Sequence, residues 1–353
     1  MNGMAKLRKT LPDDFKELVA SGDVEAIKSA LRKCVPDAVF SRFDERTALM
    51  YPDLPEEVAR WLVNEYGADI NFADRYGKTA LSEAAARKPG RIDLLLSLGA
   101  ELNYQKDDYP TALIYSAMAY SVQGVRKLLE KGADVHMTGG YSHNNALDEA
   151  LIRCQNIDIP SLAVIAGMLV DAGIEVTEER KRLVTRIGKN FEFYRESFSE
   201  DYLPVCDAGL MDLYKIFDVP PVPRRRKYDG SEPISVTGDT WTRQYNELWD
   251  MLVPGSGKAA FVQGEAIRII GRLSHEILDN GAANWDEDFR SMRDALADFL
   301  ATGKPAEDSI LKVVRKISPH TEEATFNVIA KAVVEWILAN PQPMKLEGCN
   351  YFR

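Results

Sequence analysis

The sequence predicts an all-α chain in two parts: a solenoid of short helical repeats over residues 12–217, then a separate C-terminal helical bundle over 241–340. Three observations predict it. Thr47-Ala48-Leu49, Thr79-Ala80-Leu81 and Thr111-Ala112-Leu113 recur at steps of 32 residues, and Asn145-Ala146-Leu147 follows after 34. Glycines close the same units at Gly67, Gly99, Gly132 and Gly173, with steps of 32, 33 and 41. From Trp241 onward the apolar residues keep a helical period, but neither landmark returns. Two independent landmarks holding one period identify a repeat architecture.

Each landmark has a physical reason. Thr opens a helix because its hydroxyl satisfies N–H groups left without partners in the first turn. Apolar residues then follow at helical spacing, as in Ala80, Leu81, Ala84 and Ala85. A short turn leads to a second amphipathic helix, as in Ile92, Leu94, Leu95, Leu96 and Leu98. Gly at its end adopts the left-handed cap without a Cβ penalty. One such helix pair cannot bury both of its apolar faces, so neighbouring units must stack.

The segment Asp74-Arg75-Tyr76-Gly77-Lys78-Thr79-Ala80-Leu81-Ser82-Glu83-Ala84-Ala85 resembles the ankyrin repeat, whose pattern is D-x-x-G-x-T-P-L-H-x-A-A. Ala80 stands where the family has Pro and Ser82 where it has His, so the hydrogen bonding of that His is absent or different. Leu18–Ile27, with Gly22, resembles a capping first repeat. The unit at 42–73 is deviant, because Pro52 and Pro55 shorten or break its first helix. An insertion near Ile157–Ser161 lengthens the fourth unit, and Asp207–Leu213 fits one more degenerate unit.

Residues 218–240 are rich in Pro, Gly and charge and read as an extended linker, with 341–353 as a tail. The linker's basic run Arg224-Arg225-Arg226-Lys227 invites a nucleic-acid or nuclear-import reading, but a solvated linker is favoured. Helices are expected near 241–252, 259–279, 286–301, 306–317 and 321–339, with Pro341 and Pro343 ending the last.

Composition narrows the function. A formal net charge of −10 on 353 residues argues against a nucleic-acid partner and suits a basic protein one. The opening residues turn acidic before any apolar run develops, and no stretch reaches the roughly 20 apolar residues of a membrane helix. Cys34, Cys154, Cys206 and Cys349 are scattered and read as reduced thiols. A cytoplasmic protein with no membrane partner is expected.

Catalytic candidates are absent. His136 and His143 belong near hairpin tips, while His275 and His320 stand apart from any nucleophile motif. Gly255-Ser256-Gly257-Lys258-Ala259 resembles the end of a phosphate-binding loop, but Leu252 occupies the first glycine position and Ala259 follows the lysine. No catalytic residue, metal or cofactor is expected.

Binding candidates remain. The resemblance implies a protein-binding surface formed by hairpin tips and the exposed face of the first helices. On this chain the tips carry Phe43, Asp44, Arg75, Tyr76, Lys78, Asp107, Asp108, Tyr109, Tyr141 and His143. Tyr51, Arg87, Met118 and Tyr120 would face the same concave groove. Tyr76 and Tyr109 are expected to point away from the stack. In the second part Glu265, Arg268, Arg272 and Glu276 fall on one helix face at steps of three, four and four. They form either a candidate polar pocket or a salt-bridged solvent face, and Gly264 and Gly271 mark a close helix contact.

The expected function is non-enzymatic binding of a macromolecular partner through the concave repeat face. Its sharpest form is a bacterial immunity or inhibitor protein that neutralises a toxin. One alternative makes the C-terminal helical domain a ligand-binding or enzymatic module whose substrate the repeats recruit. Another is an adaptor or secreted effector.

Overall fold

The structure, a computed structural model, describes residues 6–225 and 228–353. Arg226 and Lys227 of the basic run lie outside the described residues. The chain divides into two compact units, Met1–Gly188 with Glu200–Pro221, and Lys189–Ser199 with Val222–Arg353.

The first unit is a stack of helix pairs. It opens with α1 (Phe15–Ser21) and α2 (Val24–Leu31). Gly22 ends α1 in the left-handed conformation, and Asp23 caps α2 by accepting from the Ala26 N–H at 3.0 Å. The deviant unit has only a 3-10 turn, Ala48–Met50, in place of its first helix, followed by α3 (Glu56–Asn64). Regular pairs come next: α4 (Ala80–Arg87) with α5 (Ile92–Ser97), then α6 (Ala112–Met118) with α7 (Val122–Glu130). The fourth is α8 (Ala146–Arg153) with α9 (Ile159–Asp171), separated by the 3-10 turn Asn156–Asp158. Thr79, Thr111 and Asn145 each cap their helix through the side chain, as the landmark requires. Helix α6 packs between α4 and α8, and α9 packs on α7, α8 and α11 (Leu203–Ile216).

The fold is helical throughout its core, with one addition to expectation. Residues Arg8–Thr10 (β1) pair in parallel with Cys34–Val39 (β2). β1 thereby satisfies backbone groups along that edge of β2.

Polar ties fix the stacking distance. The side chains of Asp37, Asn71 and Asn103 accept from the backbone N–H groups of Asp69, Glu101 and Asp134, one repeat further on, at 2.9, 2.9 and 3.0 Å. This accounts for Asn71 and Asn103, each four residues after a closing glycine.

In the second unit, helix α13 (Val262–Ser274) packs against α12 (Trp241–Leu252), α14 (Glu287–Leu300) and α16 (Glu323–Ala339). Helix α15 (Asp308–Val314) joins α14 and α16, and a π-helical turn, His275–Asp279, extends α13. Gly264 and Gly271 mark close contacts: a Cβ would lie 2.8 Å from the Leu252 carbonyl oxygen at the first and 2.4 Å from the Trp249 indole at the second. Among the described residues no helix is long and apolar enough to cross a membrane.

Segments outside the predicted helices contribute to this core. Helix α10 (Glu178–Tyr194) begins in the first unit, and its last residues belong to the second. Ile234 and Tyr351 are buried in the second unit's core, so the stretches read as linker and tail both pack. Arg225, from the basic run, donates to the carbonyls of Trp249, Asp250 and Val253 at the end of α12 and lies over the Phe193 ring. A cation satisfying the open carbonyls of a helix end is a structural device.

Candidate functional site

Phe43, Tyr76, Tyr109 and Tyr141 follow one another at steps of 33, 33 and 32 residues, one per hairpin tip. All four are exposed, at 69, 59, 37 and 105 % of their full surface, so an exposed aromatic ring recurs at each tip, ahead of the Thr or Asn that opens the next helix. The tips that carry them are tightly built. The Asp74 carboxylate accepts from the N–H groups of Tyr76 and Lys78 at 2.8 and 2.9 Å, closing the turn. Arg75 is ion-paired to Glu45 of the preceding tip at 2.9 Å. The Tyr115 hydroxyl donates to the Tyr76 carbonyl. Asp44 receives the Arg46 guanidinium, and that hydrogen bond holds its carboxyl below the ordinary value.

Tyr109 departs from expectation. Gly77 has φ +72°, and a Cβ there would lie 2.2 Å from the Tyr109 Cβ. Tyr109 therefore rests against the neighbouring tip instead of standing clear, which explains its lower exposure. Asp107 and Asp108 are exposed beside it, Asp107 in the left-handed region at φ +50°. His143 is also exposed and left-handed, at φ +49°, in the turn that carries Tyr141.

The inner-helix candidates divide. Arg87 is exposed and pairs with the buried Glu83 at 3.2 Å, while Lys78 reaches the same carboxylate at 3.6 Å and lies over the Tyr115 ring. Met118 is half-buried. Tyr51 and Tyr120 are half-buried. Tyr51 packs edge-on against Phe15 at 5.4 Å. Tyr120 donates its hydroxyl to the Ala150 carbonyl at 2.9 Å, and burial raises its pKa. Both side chains tie neighbouring elements together.

Three of the four residues on the polar helix face of the second unit are buried, and Arg272 is exposed. Glu265, Arg268 and Glu276 are 0, 3 and 5 % exposed. Glu265 accepts four hydrogen bonds: from Arg268 Nε and Nη2 at 2.8 and 2.6 Å, from the Ala259 N–H at 2.8 Å, and from the Tyr351 hydroxyl at 2.7 Å. Burial alone would raise its carboxyl pKa, but these donors outweigh burial and leave it lowered. Lys258, the lysine of the glycine-serine turn, donates to the Tyr351 carbonyl. Glu276 accepts from the Asn284 N–H and from the Asn280 and Asn284 side-chain amides. Arg268, Arg272 and Glu276 line a cleft of about 630 Å³, and Arg353, Trp249 and Phe289 complete its walls. Glu265 lies behind it.

Two curated relatives match part of the chain. Ankyrin repeat and SOCS box protein 6 of Pongo abelii is 33% identical over 96 residues, covering 25% of this chain and 22% of that protein. The Homo sapiens protein of the same name is 32% identical over 96 residues, with the same coverage. The N-terminal region resembles an ankyrin-repeat domain. The chain thus spans about a fifth of the length of these relatives, 22%. The crystal structure of an ankyrin repeat domain from Acinetobacter baumannii AYE is also similar, at 24% identity and a TM-score of 0.40, covering 56% of this chain and 96% of that one. No family model matches the chain.

Within the ankyrin-like repeats, the recurrence of the tip aromatics at steps of 33, 33 and 32 residues was present in the sequence. In the second unit, Arg353 and Phe193 join Arg272 and Trp249 across long stretches of chain with no local signal. Among the described residues no cluster of three or more His, Cys, Asp or Glu is arranged to hold a metal ion.

Proposed function

We propose that this protein binds a protein partner along the exposed edge of its ankyrin-like repeats, with the aromatic row Phe43, Tyr76, Tyr109 and Tyr141 as anchors. The observation that carries this reading is the row itself. Four large rings, one on each successive tip, expose apolar surface, most of all at Phe43, Tyr76 and Tyr141. Tyr offers a large amphipathic contact with few rotatable bonds, and such residues dominate interface energetics. Arg75, Arg87, Asp107 and Asp108 surround the row with charge of both signs, as at the polar rim of an interface. The net charge of −10 favours a basic partner. A toxin masked by this chain as an immunity or inhibitor protein is the narrower form of the reading.

The test is the double substitution Tyr76→Ala with Tyr141→Ala, both highly exposed. Stability should stay within roughly 0.5 kcal/mol per site. Affinity for a partner captured from the native cell should fall by about 2 kcal/mol or more per residue in titration calorimetry. Charge reversal at Arg272 should leave that affinity unchanged. Unchanged affinity in the tyrosine variant, with loss in the Arg272 variant, would move the partner to the second unit and overturn the reading.

A further inference from the structure

The cleft of the second unit has an electrostatic character that the acidic chain does not predict. Three guanidinium groups, Arg268, Arg272 and Arg353, line it. Two of them are neutralised by named carboxylates. Arg268 is paired with Glu265 at 2.6 Å, and Arg353 lies 3.6 Å from Asp288 and pairs also with Asp286. Arg272 is different. It is exposed, and among the described residues it has no carboxylate within 4.0 Å and no hydrogen-bond acceptor. Glu276, one helical turn away, lines the same cleft but makes no ion pair with it; its oxygens accept from Asn280 and Asn284. Burial, followed by the like charges of Arg268 and Arg353, lowers the Arg272 pKa, and the more distant Glu265 and Asp288 only partly offset them.

Part of the wall is aromatic. Trp249 is seated on Gly271, where a Cβ would lie 2.4 Å away, and stacks on Phe193. The Phe289 ring carries the Arg353 guanidinium at 4.7 Å. A volume of about 630 Å³ falls within the range of small-molecule pockets, roughly 300–1,000 Å³. A planar guanidinium with unused donors recognises a two-oxygen anion by parallel hydrogen bonds.

We propose that this cleft binds a small organic anion, its phosphate or carboxylate oxygens held by Arg272 and its apolar body against Trp249. The buried Glu265–Arg268 pair and the Arg353 pairings help set the walls, and Arg272 supplies a guanidinium whose donors have no partner among the described residues. The site is independent of the repeat edge.

The experiment is titration calorimetry on the full chain with phenyl phosphate, benzoate and citrate as probes, at constant ionic strength set with chloride. One-site saturable binding of at least one probe is expected, with a rise in melting temperature at saturation. Arg272→Ala should weaken that binding about tenfold or more while leaving the unliganded melt unchanged. Arg315→Ala, which removes an exposed pairing with Asp298, should bind as the unaltered protein does. Tighter phenyl phosphate than carboxylate binding would identify a phosphate ligand, and the reverse order a carboxylate. Absence of saturable binding to all three probes, or binding that Arg272→Ala leaves intact, would overturn the proposal.

Discussion

Glu265→Gln separates a buried ion pair from a solvated one by its magnitude. An exposed pair at helical spacing contributes about 0–1 kcal/mol. Glu265 and Arg268 are 0 and 3 % exposed, so removing the carboxylate charge leaves a guanidinium buried without compensation. The usual cost is about 3–5 kcal/mol. The geometry supports that range. Both carboxylate oxygens accept two donors each: Arg268 Nε and the Ala259 N–H on Oε2, Arg268 Nη2 and the Tyr351 hydroxyl on Oε1. An amide nitrogen in either position faces a donor from Arg268. Rotating it toward Tyr351 rescues only the hydroxyl, which can turn to accept. At least one charge-assisted bond is lost, and the remaining charge has no counterpart. For a unit of this size each kcal/mol shifts the melting temperature by roughly 2–4 °C, so a fall of about 10 °C is expected in thermal circular dichroism. The double variant Glu265→Gln with Arg268→Met should recover part of the loss, because no charge is then left buried. A single-variant cost below about 1 kcal/mol would refute burial of the pair.

Three further outcomes are expected. Gly77→Ala should destabilise the first unit by about 2–4 kcal/mol in chemical denaturation, from left-handed strain at φ +72° and from the clash with Tyr109, and partner affinity should fall with it. The Asp93 carboxyl lies between Lys131 at 2.6 Å and Lys127 at 2.9 Å, and these hydrogen bonds lower its pKa from 3.8 to about 2. Its contribution is complete above 3.8 and is lost as pH falls toward about 2, so a nuclear magnetic resonance titration with a midpoint near 3.8 would contradict the pairing. Tyr120→Phe removes the bond to Ala150 and should cost about 1 kcal/mol in thermal melts, whereas Tyr76→Phe keeps its backbone contacts and should cost almost nothing.

Local pattern revealed the helices well. The expected helix over 241–252 is α12, and that over 286–301 ends within a residue of α14 at each side. Thr and Asn caps, closing glycines and apolar spacing are short-range signals, and they are physically sufficient for a helix. What pattern could not reveal was the surroundings of polar residues. Glu265 and Arg268 at helical spacing look the same on a wet surface as in a core, and the decisive partner, Tyr351, lies 86 residues away. Tyr120 read as a groove residue for the same reason, since its acceptor belongs to the next repeat. Proline-rich composition likewise suggested a free linker over 218–240, although Ile234 is buried in the second unit and its N–H donates to Pro341 at 2.7 Å.

The interleaving of the two units in sequence has a consequence for the order of synthesis. Residues 189–199 leave the ribosome ahead of every other part of the second unit, and the rest of the first unit, 200–221, is made after them. Phe193 must therefore wait for Trp249, on which it stacks. The Glu265 carboxylate waits longer, since its Tyr351 donor is translated 86 residues after it. Folding from the N-terminus can complete the repeats early, but the second unit cannot close progressively behind the growing chain. A stalled or clipped nascent chain ending before Tyr351 would keep a buried acid without one of its donors, making such products the natural targets of quality control.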